Sequence, residues 1–166
     1  MNIFIHRRDL RLYDNTTLNA LYQQDSDIIP IFIFNPEQID PKKNSYFSNN
    51  LVEFMCNSLL NLQKEYSKRN IPFYIFEGDV IDILSKLHQK YKLNMVSFNK
   101  DYSPFSKKRD ENIEKWCTDK GIICLSKEDM LLHNISSNRT INPNTKDPYK
   151  VFTPFMKNAI KYSVSR

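Results

Sequence analysis

A doubly wound α/β fold on a parallel sheet is predicted by three features of this sequence. Five short apolar runs recur between residues 2 and 125. Segments with helical spacing separate them. The runs are near-continuously apolar instead of alternating, as expected of parallel strands buried on both faces by helices. Parallel neighbours also need crossover connections, which the intervening helices supply.

The elements follow in order. Residues 2–6, Asn-Ile-Phe-Ile-His, form the first strand. Asn15 stands where it can cap a helix over 15–24. Residues 27–34, Asp-Ile-Ile-Pro-Ile-Phe-Ile-Phe, are the second strand. A long helix is expected over 47–69, its apolar stripe marked by Leu51, Phe54, Met55, Ser58, Leu59 and Leu62. Strand three is 72–76. Asp79, after Gly78, then opens a helix over 79–91 with Val80, Ile83, Leu84 and Leu87 on one face. Strand four is 95–98, and a helix over 106–120 carries Ile113 and Trp116 until Gly121 stops it. Strand five is 122–125. Right-handed crossovers through this alternation give a parallel sheet with helices on both faces, and a Rossmann-like five-stranded sheet of order 3-2-1-4-5 is expected. Ligands bind beyond the carboxyl ends of such strands, which directs attention to residues 6–14, 35–40 and 99–105. Residues 1–133 are read as this domain. Residues 134–166 are read as a linker and the start of an interdomain segment, polar over 134–148, with a short helix over 154–162.

Composition narrows the function. A chain of 166 residues with 40% hydrophobic and 26% charged residues suits one globular domain. Two glycines cannot build a glycine-rich phosphate cradle. The net charge of +5 comes from interspersed lysines and arginines, which favours a solvated basic face over direct DNA contact. Cys56, Cys117 and Cys124 form no C-x-x-C pair, so buried free thiols are expected and neither a metal site nor a disulfide scaffold is. The apolar run before Arg7 is too short for a signal peptide, and no stretch approaches a membrane span. An intracellular, soluble chain is expected, with no membrane association.

Two segments carry chemistry. Arg7-Arg8-Asp9-Leu10-Arg11-Leu12-Tyr13-Asp14-Asn15 follows the first strand. It fits an anionic or planar ligand, since guanidinium groups bind oxyanions in pairs and stack on rings. It fits equally an Arg–Asp network that ties the loop to a neighbouring strand end. The second is Asn99-Lys100-Asp101-Tyr102-Ser103-Pro104-Phe105, followed by Arg109 and Asp110. Asp101 should face the same crevice, either accepting from a ligand or pairing with an arginine of the first loop. The histidines His6, His88 and His133 are scattered, and no nucleophile–base pair or metal-ligand spacing emerges, so no catalytic residue is assigned.

The first of these runs resembles the R-x-D-L-R-x-x-D-N signature of the DNA photolyase/cryptochrome family. The second is similar to its N-x-D-x-x-P-[YF]-x-x-x-R-D pattern, and Tyr149-Lys150-Val151-Phe152-Thr153-Pro154-Phe155 resembles its Y-x-V-F-T-P-F run. The resemblance covers essentially the whole chain. It implies an N-terminal α/β domain that carries an antenna chromophore, whereas FAD and the light-driven splitting of pyrimidine dimers, a carbon–carbon lyase reaction, belong to a helical C-terminal domain. The expectation is a photolyase-like chain truncated to the antenna domain and not repair-competent alone. Damaged DNA would be reached only through an FAD-binding helical half, encoded separately. Family members with folate antennas carry an Asn-Glu pair where this chain has Phe105 and Ser106. Members with deazaflavin have an Asp matching Asp101 and another where Asn35 stands, with contact residues at Arg8 and Phe32. The implied cofactor-binding set is therefore Arg8, Phe32, Asn35 and Asp101, for a deazaflavin or flavin antenna in preference to folate. The alternative is a cryptochrome-like or nucleotide-binding α/β module with a signalling or partner-binding role.

Overall fold

The computed structural model describes residues 1–24, 27–133, 135 and 140–164. The expected linker start at residue 134 and the end of the tail, 165–166, lie outside the described residues. The chain divides into two compact units, Met1–Lys127 and Glu128–Arg166.

In the first unit the elements are β1 (Asn2–His6), α1 (Thr16–Gln24), β2 (Ile28–Phe34), α2 (Pro36–Ile39), α3 (Asn49–Ser67), β3 (Tyr74–Glu77), α4 (Val80–Tyr91), β4 (Met95–Asn99), α5 (Pro104–Lys120) and β5 (Ile123–Lys127). The five strands form one sheet in the order β3-β2-β1-β4-β5, and every pairing is parallel. This is the doubly wound arrangement expected from the sequence.

Alternate residues of each strand point to opposite faces, and the packing follows that period. Ile3, Ile5, Ile31, Val96 and Phe98 meet Leu84 of α4 and Ile113, Trp116 and Cys117 of α5. On the other face Phe4 and Met95 pack with Leu21 of α1, and Phe32 packs with Leu59, Leu62 and Tyr66 of α3. Trp116 also donates its indole N–H to the Ser85 hydroxyl at 3.0 Å, joining α5 to α4. The sheet is thus covered on both sides.

Local chemistry sets the helix ends. Asn15 accepts from the Leu18 N–H, and Asp79 accepts from Ile81 and Asp82. Ser103 caps α5, which opens with Pro104 and closes at Gly121 in the left-handed region, φ 66°. Asn35 caps a four-residue helix, α2, in a stretch to which the sequence reading assigned no element; Asn-Pro-Glu is the cap-and-proline start that produces it.

Two expectations change. The stripe of α3 is displaced: Leu59, Leu62 and Tyr66 are buried, whereas Leu51 and Phe54 are 56% and 72% exposed. The first turns of α3 wall a cavity, described below, and only its later turns pack on the sheet. Cys56 lies on the same exposed part of α3, while Cys117 is buried.

In the second unit Ile141 and Pro148 form an antiparallel bridge, and α6 spans Phe152–Ala159. The helix starts two residues before the expected position. Pro154 then falls in its first turn, where a missing N–H costs nothing.

Candidate functional site

The loop after β1 is held by a buried polar network. Asp9 is its centre: one carboxylate oxygen accepts from the Arg7 N–H at 2.7 Å, and the other accepts from the side-chain amides of Asn15 at 3.2 Å and Asn99 at 2.5 Å. Asn99 in turn donates to Asn15 and accepts from the Thr17 N–H. Loop, α1 and the end of β4 are therefore one unit. Several donors on one buried carboxylate fix its position.

Arg7 reaches across to the same region. Its Nη1 donates to the Asn99 carbonyl at 3.2 Å and to the Asp110 carboxylate at 2.9 Å, and its guanidinium lies 3.9 Å from the Phe98 ring centroid. Arg109 pairs with the same Asp110 at 3.0 Å. Burial, and then the Arg109 charge, push the Arg7 pKa down to about 10. Of the two readings of the arginine-rich run, the Arg–Asp network describes Arg7 and Asp9.

Above this network lies a cavity of about 970 Å³ at the carboxyl ends of the strands. It sits where β1 meets β4, the point at which strand order reverses. The β1 loop contributes His6, Arg7 and Arg8, the β2 end contributes Phe32, Ile33 and Asn35, and α3 contributes Leu51, Val52 and Met55. Gly78 lines it after β3 with φ 142°, a backbone conformation that side chains disfavour. The β4 loop and α5 supply Asp101, Ser103, Phe105, Ser106 and Arg109. Such a volume is in the range of small-molecule sites, roughly 300–1,000 Å³.

All four residues singled out from the sequence line this cavity. Arg8, largely exposed, pairs through Nε with Asp101 at 3.3 Å. Burial raises the Asp101 pKa, but hydrogen bonds from the Tyr102 N–H and the Ser106 hydroxyl, with the Arg8 charge, outweigh it and hold the carboxylate below its ordinary value. Phe32 is buried, edge-on to Phe34 at 5.0 Å. Asn35 spends its side-chain oxygen on the Glu37 N–H.

A DNA photolyase family model matches residues 2–164. The chain belongs to the DNA photolyase family. It is 36% identical over 165 residues to the deoxyribodipyrimidine photo-lyase of Buchnera aphidicola, covering 96% of this chain and 33% of that one. It is 27% identical over 132 residues to cryptochrome-1 of Aedes aegypti, covering 76% of this chain and 24% of that one. The archaeal photolyase from Sulfolobus tokodaii, solved with two FAD molecules and the implication of a novel light-harvesting cofactor, superposes with a TM-score of 0.84. It is 37% identical, and the match covers all of this chain and 36% of that one. The chain thus spans about a third of the length of these photolyases.

In this photolyase-family domain the cavity also holds residues that sequence reading passed over. Arg109 was visible only as part of a motif, one turn beyond Phe105 on α5; its own helix is too polar for periodicity to say which face it takes. Lys43, Asn44 and Tyr46 come from an irregular loop with no pattern to read. Among the described residues no group of three or more His, Cys, Asp and Glu side chains could hold a metal ion, and no helix is long and apolar enough to cross a membrane.

Proposed function

We propose that this chain is the antenna part of a light-driven photolyase and that its cavity holds a chromophore of flavin or deazaflavin type. The observation that carries the reading is the cavity at the switch point, where apolar side chains, Phe32, Ile33, Met55 and Phe105, lie beside the Arg8–Asp101 pair. The residues present suit such a group. The apolar walls fit a fused ring system, and Asp101, held ionised, is an acceptor for a ring N–H or hydroxyl. Asn35 and Arg8 flank it, one as a polar wall and the other as a charge that keeps Asp101 in place. The two FAD molecules of the Sulfolobus photolyase support a flavin in preference to a folate, as does the Phe105-Ser106 pair.

The bound chromophore would supply absorption of near-ultraviolet or blue light and pass its excitation to a neighbouring FAD. Dimer splitting and DNA contact then belong to an FAD-binding helical part, on this polypeptide or another, which this chain would serve as light collector.

Reconstitution tests the reading. The purified chain is titrated with FMN, FAD, a deazaflavin and a reduced folate, and binding is followed by visible absorbance and fluorescence. A flavin or deazaflavin should bind with its absorption band shifted, and folate should not compete. Asp101→Ala removes a charge-assisted hydrogen bond of about 1.5–3 kcal/mol, so affinity should fall about tenfold or more. Binding of folate alone, or of none of the four, overturns the reading.

A further inference from the structure

We propose that a second groove of this domain, between the β1 loop and α3, binds a single strand of nucleic acid, with an unpaired base stacking on Tyr13 and phosphates meeting Lys64 and Lys68. The groove shares no lining residue with the chromophore cavity, so the inference stands apart from that reading.

The groove, of about 560 Å³, is lined by Arg11 and Tyr13 of the loop and by Lys64, Glu65 and Lys68 on the later turns of α3. Local structure turns Tyr13 outward. Leu10 and Leu12 pack against the cluster of Phe32, Leu59, Leu62 and Tyr66. Arg11 braces the turn, donating through Nε and Nη2 to the Asp14 carbonyl at 3.1 and 2.6 Å, and Asp14 takes a left-handed φ of 51°. Tyr13, between them, is 71% exposed. It is held all the same. Arg69, just past the end of α3, donates Nη2 to the Tyr13 hydroxyl at 2.7 Å, and its guanidinium lies 5.7 Å from the ring centroid. A lone exposed ring needs no explanation. A ring fixed by its own loop and by Arg69, at the rim of a cationic groove, is a platform on which an unpaired base stacks.

The charge around that ring is positive. Glu65 is taken by Lys68 and Arg69, and Lys64 makes no ion pair among the described residues. Arg11, Lys64, Lys68 and Arg69 against Asp14 and Glu65 leave two positive charges. Counting Asp9, buried beneath the loop with both oxygens bonded inside its own network, still leaves one. Lys64 and Lys68 are both exposed and stand about one helical turn apart, about 6 Å along α3, so each can meet a separate phosphate. A duplex keeps its bases stacked on one another and away from Tyr13, whereas a single strand can splay them onto an aromatic ring. An acidic peptide would match the charge and leave the ring unused. The tyrosine therefore decides for a nucleic-acid strand.

The test uses the full 166-residue chain and a fluorescein-labelled oligothymidylate of about 15 nucleotides, followed by anisotropy. The strand should bind with a Kd of about 10⁻⁴–10⁻⁶ M, and more tightly than its duplex with oligodeoxyadenylate. Tyr13→Ala should weaken binding about fivefold or more, and Tyr13→Phe, which keeps the ring, should stay within about twofold of the parent. Lys64→Gln combined with Lys68→Gln should flatten the log–log salt dependence by about 1.4, the share of two phosphates on a single strand. All three side chains are exposed, so the variants should melt with the parent. No binding of the strand at low salt overturns the site, as does equal affinity for strand and duplex. An affinity unchanged in Tyr13→Ala, or a salt slope unchanged in the double variant, overturns it too. Polyglutamate binding as tightly as the strand would assign the groove to an acidic peptide instead.

Discussion

His6 ends β1 with an imidazole that is 1% exposed, yet both ring nitrogens are satisfied. A carbonyl can only accept, so Nδ1 carries the proton and donates to the Asp9 carbonyl at 3.1 Å. Nε2 then accepts from the Tyr66 hydroxyl at 2.7 Å. This is a neutral imidazole, and burial lowers its pKa below the ordinary 6.5 although Asp9 pulls the other way. The unfolded chain takes up a proton as pH falls below 6.5, whereas the folded chain resists it. Stability conferred by neutral His6 is therefore present above that value and lost on acidification, by at most about 1.4 kcal/mol per pH unit. Urea unfolding at pH 7.5 and 5.5 should show a drop in the parent chain that is smaller in His6→Gln. An equal drop in both would place the dependence elsewhere. Legibility at this scale divides by where a residue stands. Arg8 and Asp101 could be placed because each sits just past a strand whose end is readable, whereas Phe32 and Asn35 were reached only through the family resemblance. Tyr66 and Arg109 could not, since their role depends on which face of a helix meets the sheet or the cavity, and α3 and α5 are too mixed in character to announce it.

The strands were readable as elements because burial on both sides leaves their centres nearly continuously apolar, β1 and β4 being buried at every position. The edge strands were read less well. β3 is largely exposed and β5 is partly buried with exposed ends, and pairing carries β5 through Ser126 and Lys127, opposite Phe98 and Asn99, where composition gives no signal. Helix starts were readable at Asn15 and Asp79, where the capping side chain directly precedes an apolar face, but Ser103 caps α5 two residues before the expected start and Asn35 caps a helix that was not expected. Asp79 is the clearest, accepting two backbone N–H bonds at 2.8 and 3.2 Å just beyond the Gly78 wall of the cavity. Asp79→Ala leaves those donors to water and should cost about 1 kcal/mol of unfolding free energy, with ligand affinity preserved. Chemical denaturation with and without FMN checks both parts. A loss below about 0.3 kcal/mol would mean that packing of Ile83 and Leu84, not the cap, sets where α4 begins.

At the scale of the molecule the strand order is the informative quantity, because it alone puts the loops after β1 and β4 side by side. Residues 93 positions apart, Arg8 and Asp101, become an ion pair by that topology. The same topology bears on what the cavity needs in order to exist. Its lining runs from Ile5 to Arg109, and the three apolar clusters draw only on residues between Met1 and Leu125. Everything that shapes the site is thus supplied within Met1–Lys127, the first compact unit. A domain of this size is expected to hold about 5–15 kcal/mol of stability from such a core. A chain ending at Lys127 should therefore unfold in one cooperative urea transition and bind FMN within about twofold of the 166-residue chain. Far-ultraviolet circular dichroism through the transition and a flavin titration measure the two properties. A broad, non-cooperative transition would show that residues after Lys127 complete the core. A sharp transition with FMN affinity lost would show instead that they complete the site.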